Sequence, residues 1–146
     1  MRAVVQRVSH AAVEIDGAEM ARIGAGLLVL LGVAPSDSEE QARKLAEKLI
    51  NLRIFEDDQG KTNLGALDVG AEVLVVSQFT LYADTSRGRR PSFIYAAGPE
   101  VAAPLVQRFA DLVAERGLRV QTGRFGASMR VHLCNEGPFT LMLDMD

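Results

Sequence analysis

The chain has 146 residues, 48% of them hydrophobic and 24% charged, a balance that lets one globular domain over residues 1–146 enclose a single core. A net charge of −3 excludes broad, charge-driven binding to nucleic acid and leaves only a local basic patch for such a role. No apolar run nears the roughly 20 residues of a spanning helix, the opening is strand-like rather than signal-like, and Cys134 is the only cysteine, so a cytoplasmic protein with no membrane segment and no internal disulfide is expected.

In chain order, residues 3–8 and 12–15 alternate as strands, and Asp16-Gly17 is a hairpin signal before a third strand at 18–23. Residues 26–33 form a continuous apolar run with glycine near each end, which suits a strand buried on both faces. Ser36 and Glu39 make a capping-box pattern after Pro35 and predict a helix with Ala42, Leu45, Ala46 and Leu49 on its apolar face. A short strand at 52–55 ends at the turn Asp57-Asp58-Gln59-Gly60. Residues 73–76 form a second buried strand that runs into Ser77-Gln78-Phe79-Thr80-Leu81. The second helix spans 99–116 with a stripe of Leu105, Phe109, Leu112 and Val113, and Gly117 suits its C′ position. Pro104 fits this helix only within the first turn. Strands at 118–121, 129–134 and 139–143 close the chain. The order predicts one α+β domain, with mixed, largely antiparallel sheets or a barrel-like β core and two main helices.

Conventional catalytic parts are scarce. His10 and His132 are the only histidines. His132 and Cys134 share a strand face, but no further ligand completes a metal site. Neither a metal nor a cofactor is expected. Ser77, Thr80 and Thr140 carry hydroxyls without a nearby base, and no nucleophile elbow, phosphate loop or dinucleotide fingerprint is present. The main-chain N–H groups around Ser77 to Thr80 either bind an oxyanion or simply finish a strand. Arg87, Arg89 and Arg90 form the densest basic cluster, either a solvated loop or a nucleic-acid contact.

The sharpest feature is Asn135-Glu136-Gly137-Pro138-Phe139-Thr140, a Gly-Pro pair between two apolar strands. Glycine admits unusual φ and proline readily follows a cis bond, so the pair marks a rigid backbone corner. Such a corner either turns the chain or presents main-chain carbonyls to a ligand.

Ser77-Gln78-Phe79-Thr80-Leu81 resembles the Ser-Gln-x-Thr-Leu motif of D-aminoacyl-tRNA deacylases, and Asn135-Glu136-Gly137-Pro138-Phe139-Thr140 resembles their Asn-x-Gly-Pro-x-Thr motif. The opening residues 1–8, Leu52-Arg53-Ile54-Phe55, Gly88-Arg89-Arg90-Pro91-Ser92-Phe93 and Gly123-Arg124-Phe125-Gly126-Ala127 are similar to that family in the same order. The resemblance implies hydrolysis of the ester between a D-amino acid, or glycine, and the 3′ end of tRNA. It also implies a homodimer with active sites at the interface and a cis Gly-Pro corner that enters the partner's pocket. Gly137 and Pro138 would offer carbonyls to the substrate α-amino group and exclude an L side chain, in the company of Asn135 and Thr140. Ser77, Gln78, Phe79 and Thr80 would form the catalytic wall, with the terminal 2′-hydroxyl assisting.

By the same resemblance, Arg7 supports the corner or stands in solvent as a strand arginine. Phe125 and Met129 hold the adenine or the pocket. Recognition confined to the acceptor end needs few phosphates neutralised, and Arg87, Arg89 and Arg90 are the candidates for those contacts. Ser128 stands where the family pattern has Asp, and Thr62 where Met is common, which leaves the two signature motifs intact. A related class with a trans Gly-Pro removes L-alanine instead, and a non-catalytic tRNA-end or small-molecule binding module is the other alternative.

Overall fold

The computed structural model describes residues 1–145. Strand β1 (Arg2–Ile15) is the backbone of the sheet. Along one edge it pairs with β3 (Gly26–Gly32) through its first half and with β2 (Ala18–Ile23) through its second. Along the other edge β8 (Arg130–Asp144) pairs antiparallel over nearly its full length. The hairpin between β1 and β2 turns at Asp16 (φ 51°) and Gly17 (φ 79°), the two left-handed residues a primed turn requires.

The remaining two strands of this sheet are parallel to their neighbours. Strand β6 (Glu72–Ser77) lies beside β3, and β7 (Arg119–Thr122) lies beside β6. Parallel neighbours need crossovers. Here α1 (Glu39–Asn51) lies in the first crossover and α3 (Pro99–Glu115) in the second. The result is an α+β fold with a nearly closed, barrel-like mixed sheet.

Alternation explains the apolar runs of β3 and β6. Leu27, Val29, Leu31, Val73 and Val75 pack under the helices in one core. Leu28, Leu74 and Val76 face a second core with Val8, Val13, Ile15 and Ile23. Both faces are covered, so neither strand can tolerate polar residues in its middle.

Several expectations need correction. The strands expected at 3–8 and 12–15 are one, because β8 pairs continuously while β3 hands over to β2 on the opposite edge. The strands expected at 129–134 and 139–143 are likewise one, β8, which absorbs the Gly-Pro pair as a bulge. The capping box uses Ser38 and Gln41, not Ser36 and Glu39. The Gln41 carboxamide accepts the Ser38 N–H at 2.8 Å. Pro104 lies beyond the first turn of α3. Its missing bond would have gone to Glu100, and both residues are exposed, so water can serve that carbonyl. Leu105 is only partly buried, and Val106 takes the core position instead. The strand expected at 52–55 shrinks to β4 (Phe55–Glu56) because Leu52 caps α1, and its partner β5 (Thr62–Leu64) and the one-turn α2 (Ala66–Val69) carry too few residues for any period to show.

Glu72 clamps the start of β6. Its carboxylate pairs with Arg119 and accepts the Gly24 N–H at 2.8 Å. Arg119 first and Gly24 second hold its carboxyl below the ordinary value of 4.5. A lowered folded pKa stabilises the protein above the unfolded value, and the gain is lost as pH falls through the folded one. Glu72→Gln is therefore expected to lower stability near neutral pH, with the gap to wild type narrowing below about pH 4. Urea unfolding at pH 7 and at pH 3 checks this; equal gaps at both would refute it.

Candidate active site

The parallel strands β3 and β6 end together. Ser77 sits opposite Leu31, and the Gln78 N–H donates to the Leu31 carbonyl at 2.7 Å. The chain then turns sharply through Gln78 (φ −145°, ψ 78°) into a 3-10 turn, Phe79–Tyr82. Crevices beyond the carboxyl ends of parallel strands are common ligand sites. Here the crevice is a cavity of about 580 Å³, well within the range of small-ligand sites. Ser77, Gln78 and Phe79 form one wall, residues 125–129 after β7 form another, and Ala97, Pro99 and Ala102 at the start of α3 complete the rim.

No histidine or carboxylate lines this cavity among the described residues. The Thr80 hydroxyl is exposed, lies off the lining, and accepts a hydrogen bond from the Gln78 amide. An amide N–H donor cannot take a proton from that hydroxyl. The polar groups at the walls are therefore main-chain amides and the Ser77, Gln78 and Ser128 side chains.

The Gly-Pro pair forms a second feature. Gln6 pairs with Thr140 and Val8 pairs with Asn135, so residues 136–139 bulge outward opposite Arg7. The Gly137–Pro138 bond is cis, the isomer the resemblance implies. The Asn135 amide donates to the carbonyls of Arg7 (2.9 Å) and Phe139 (3.0 Å) and closes the neck of the bulge. Arg7 holds the tip. Its guanidinium donates to the carbonyls of Ile54 (2.7 Å), Glu136 (3.3 Å) and Gly137 (3.5 Å) and lies 4.6 Å from the Phe139 ring centre. The Gln6 amide donates to the Thr140 hydroxyl at 3.1 Å.

Two groups of residues thus emerge. Ser77, Gln78, Phe79, Phe125 and Met129 meet at the cavity. Arg7, Asn135, Gly137, Pro138 and Thr140 meet at the bulge, and neither Gly137 nor Pro138 lines the cavity of its own chain. Arg87, Arg89 and Arg90 are exposed and do not line the cavity. His132 approaches Glu14 at 3.7 Å, and Cys134 is exposed. The sequence reading missed the Ile54 carbonyl, which no side-chain motif signals, and the Ala97–Pro99 rim, which reads only as a helix start.

A family model described as D-Tyr-tRNA(Tyr) deacylase matches residues 4–144. This chain belongs to the D-aminoacyl-tRNA deacylase family. A relative of that name from Roseiflexus castenholzii is 60% identical over 99% of this chain and 92% of its own length. One from Bacillus velezensis is 51% identical over 99% and 98%. Among solved structures, one titled c-Myc DNA Unwinding Element Binding Protein superimposes with a TM-score of 0.94 at 37% identity, over 100% of this chain and 99% of that one. A probable eukaryotic D-amino acid tRNA deacylase superimposes at 0.85 with 21% identity, over 99% and 98%, and supports the fold. As a member of the D-aminoacyl-tRNA deacylase family the chain is an ester hydrolase. The cavity wall at Ser77 and the bulge at Gly137 are the two motifs of that resemblance, set at separate places in one chain.

Proposed function

We propose that residues 1–146 form one deacylase domain that hydrolyses the ester joining a D-amino acid, or glycine, to the terminal adenosine of tRNA. The observation that carries this reading is the outward-held corner, fixed by Arg7 and Asn135 yet absent from its own cavity. Such a corner serves the cavity of a second copy. The exposed apolar side chains of Leu133 and Met142 on β8 give that copy a surface to cover.

In the dimer, the Gly137 and Pro138 carbonyls meet the substrate α-amino group. An L side chain then strikes main chain, while a D side chain or a hydrogen is accommodated. Main-chain atoms read the α-carbon whatever side chain it bears, so many D-amino acids are accepted. Phe125 and Met129 hold the adenine against the apolar wall. A main-chain N–H of the Ser77 to Thr80 segment stabilises the oxyanion, and the terminal 2′-hydroxyl assists in place of a protein base. The reaction belongs in the cytoplasm, where charged tRNA is used; among the described residues no helix is long and apolar enough to cross a membrane.

The test is deacylation of D-tyrosyl-, L-tyrosyl-, L-alanyl- and glycyl-tRNA, with sedimentation to count subunits. D-selective turnover by a dimer is expected. L-alanine-selective turnover favours the related trans class, and tRNA-end binding without turnover favours a binding module. Thr80→Ala is expected to lose less than about tenfold in kcat/KM, whereas losing a true nucleophile costs on the order of a millionfold. Total loss of activity in a folded Thr80→Ala protein would make that hydroxyl the nucleophile.

A further inference from the structure

A second groove adjoins the catalytic cavity along the same three chain segments. The cavity is bounded by Val33, by Ser77, Gln78 and Phe79, and by Ala97. The groove, about 480 Å³, is bounded by Ala34, Pro35 and Ser36, by Tyr82, Ala83 and Asp84, and by Tyr95, with Arg2 across it. Each segment passes from one to the other within a few residues. A strand that leaves the cavity along the 3-10 turn crosses the groove next.

The groove is lined for a flat, polar-edged ring. Tyr95 is 57% exposed and has no core to serve. The Arg2 guanidinium lies 4.7 Å from the Tyr82 ring centre and is fixed by Asp144 (2.9 Å) and by the Leu81 carbonyl (3.0 Å). Asp84 lines the groove edge, its carboxylate bonded by the Ser86 side chain and accepting the Ser86 N–H at 2.9 Å.

Beside the groove stands a fixed hairpin. Asp84 and Ser92 exchange main-chain bonds of 2.7 and 2.9 Å at its neck. Phe93 packs edge-on against Phe79, 5.1 Å between ring centres, and the Ala97 N–H donates to the Val33 carbonyl at 2.9 Å. The tip carries Arg87, Arg89 and Arg90, all exposed and, among the described residues, in no ion pair. Three cations without ion pairs among the described residues, on a hairpin whose neck residue Asp84 lines the groove with Tyr95, suit a short stretch of single-stranded polynucleotide on a chain of net charge −3.

We infer that the groove and hairpin bind the unpaired nucleotides just before the terminal adenosine, one base stacking on Tyr95 beside the Arg2–Tyr82 pair and phosphates meeting Arg87, Arg89 and Arg90. This rests on the tRNA-ester reading of the cavity. The footprint is short, so activity falls only gently with salt, with a slope of about −2 for three single-strand phosphates.

The test compares D-tyrosyl-tRNA with the D-tyrosyl ester of adenosine alone. Tyr95→Ala is expected to lose about tenfold in kcat/KM on the tRNA, carried by KM, and nothing on the adenosine ester. Tyr95→Phe keeps the ring and restores wild-type behaviour. The double variant Arg89→Gln, Arg90→Gln flattens the salt slope on the tRNA by about 1 to 1.5 and leaves the adenosine ester unaffected. Equal losses on both substrates, or undiminished activity of both variants on the tRNA, overturn the inference. A wild-type protein that cleaves neither ester overturns the deacylase reading and this one with it.

Discussion

Arg7→Ala is expected to lower kcat/KM on D-tyrosyl-tRNA about a hundredfold and to narrow the D over L preference, in a protein that still folds. Arg7 gathers three carbonyls from two separate segments, Ile54 before β4 and Glu136 and Gly137 in the bulge. Without it, the Asn135 amide and the Gln6–Thr140 pair still hold the neck, but the tip loses its bonds to Arg7 and is free to shift. A displacement of about 1 Å at a reacting centre can cost on the order of a hundredfold. The stability loss is smaller, about 1–3 kcal/mol for charged hydrogen bonds to main chain. Arg7→Lys keeps the charge, yet one ammonium cannot span three carbonyls and lacks the planar group that lies over Phe139, so it falls between. The measurement is kcat/KM for both D- and L-tyrosyl-tRNA beside a thermal melt. A folded Arg7→Ala protein with full D activity and unchanged selectivity would show that the corner holds itself.

Gly26→Ala is expected to be the most damaging single methyl in the fold. Gly26 lies where β3 meets both Val8 of β1 and Glu72 of β6. A Cβ there would sit 1.8 Å from the Glu72 carbonyl oxygen and 2.7 Å from two more of its main-chain atoms. Main chain cannot rotate aside as a side chain can. Nor can Glu72 retreat, since its N–H donates to Ala25 at 3.1 Å and its carboxylate holds Gly24 and Arg119. The cost is about 3 kcal/mol, the upper range for overpacking, or a fall in Tm of roughly 10 °C for a chain of this size. Gly60→Ala is the control. Gly60 has φ of +75° and nothing within 4 Å, so its cost is conformational alone, about 1 kcal/mol. Calorimetry of the two variants decides; a Gly26→Ala shift no larger than that of Gly60→Ala would refute the steric account.

Much of the secondary structure was legible because its signals are local. The Asp16-Gly17 turn, the apolar runs of β3 and β6, and the stripe of Ala42, Leu45, Ala46 and Leu49 each follow from adjacent residues. The errors have a shared cause. The unbroken β1 and β8 depend on partners far away in sequence, and the bulge opposite Arg7 exists only in their register. The capping box slipped by two residues because Ser36 and Ser38 both fit the local pattern, and only the path of residues 34–37 selects Ser38.

The sequence by itself determined the class of the protein. Its two motifs and their flanks point to the deacylase family, and its two histidines stand beside no recognisable triad or metal motif. Tertiary structure decided where those motifs stand. It set Ser77 at the rim of a cavity at the ends of two parallel strands, and it placed Gly137 outside that cavity on a bulge braced by Arg7, Asn135 and the Ile54 carbonyl. The reason is physical. Residue types and their spacing are written along the chain, whereas carbonyl direction and strand register arise from pairings between residues distant in sequence, 47 positions apart for Arg7 and Ile54 and 128 for Arg7 and Asn135.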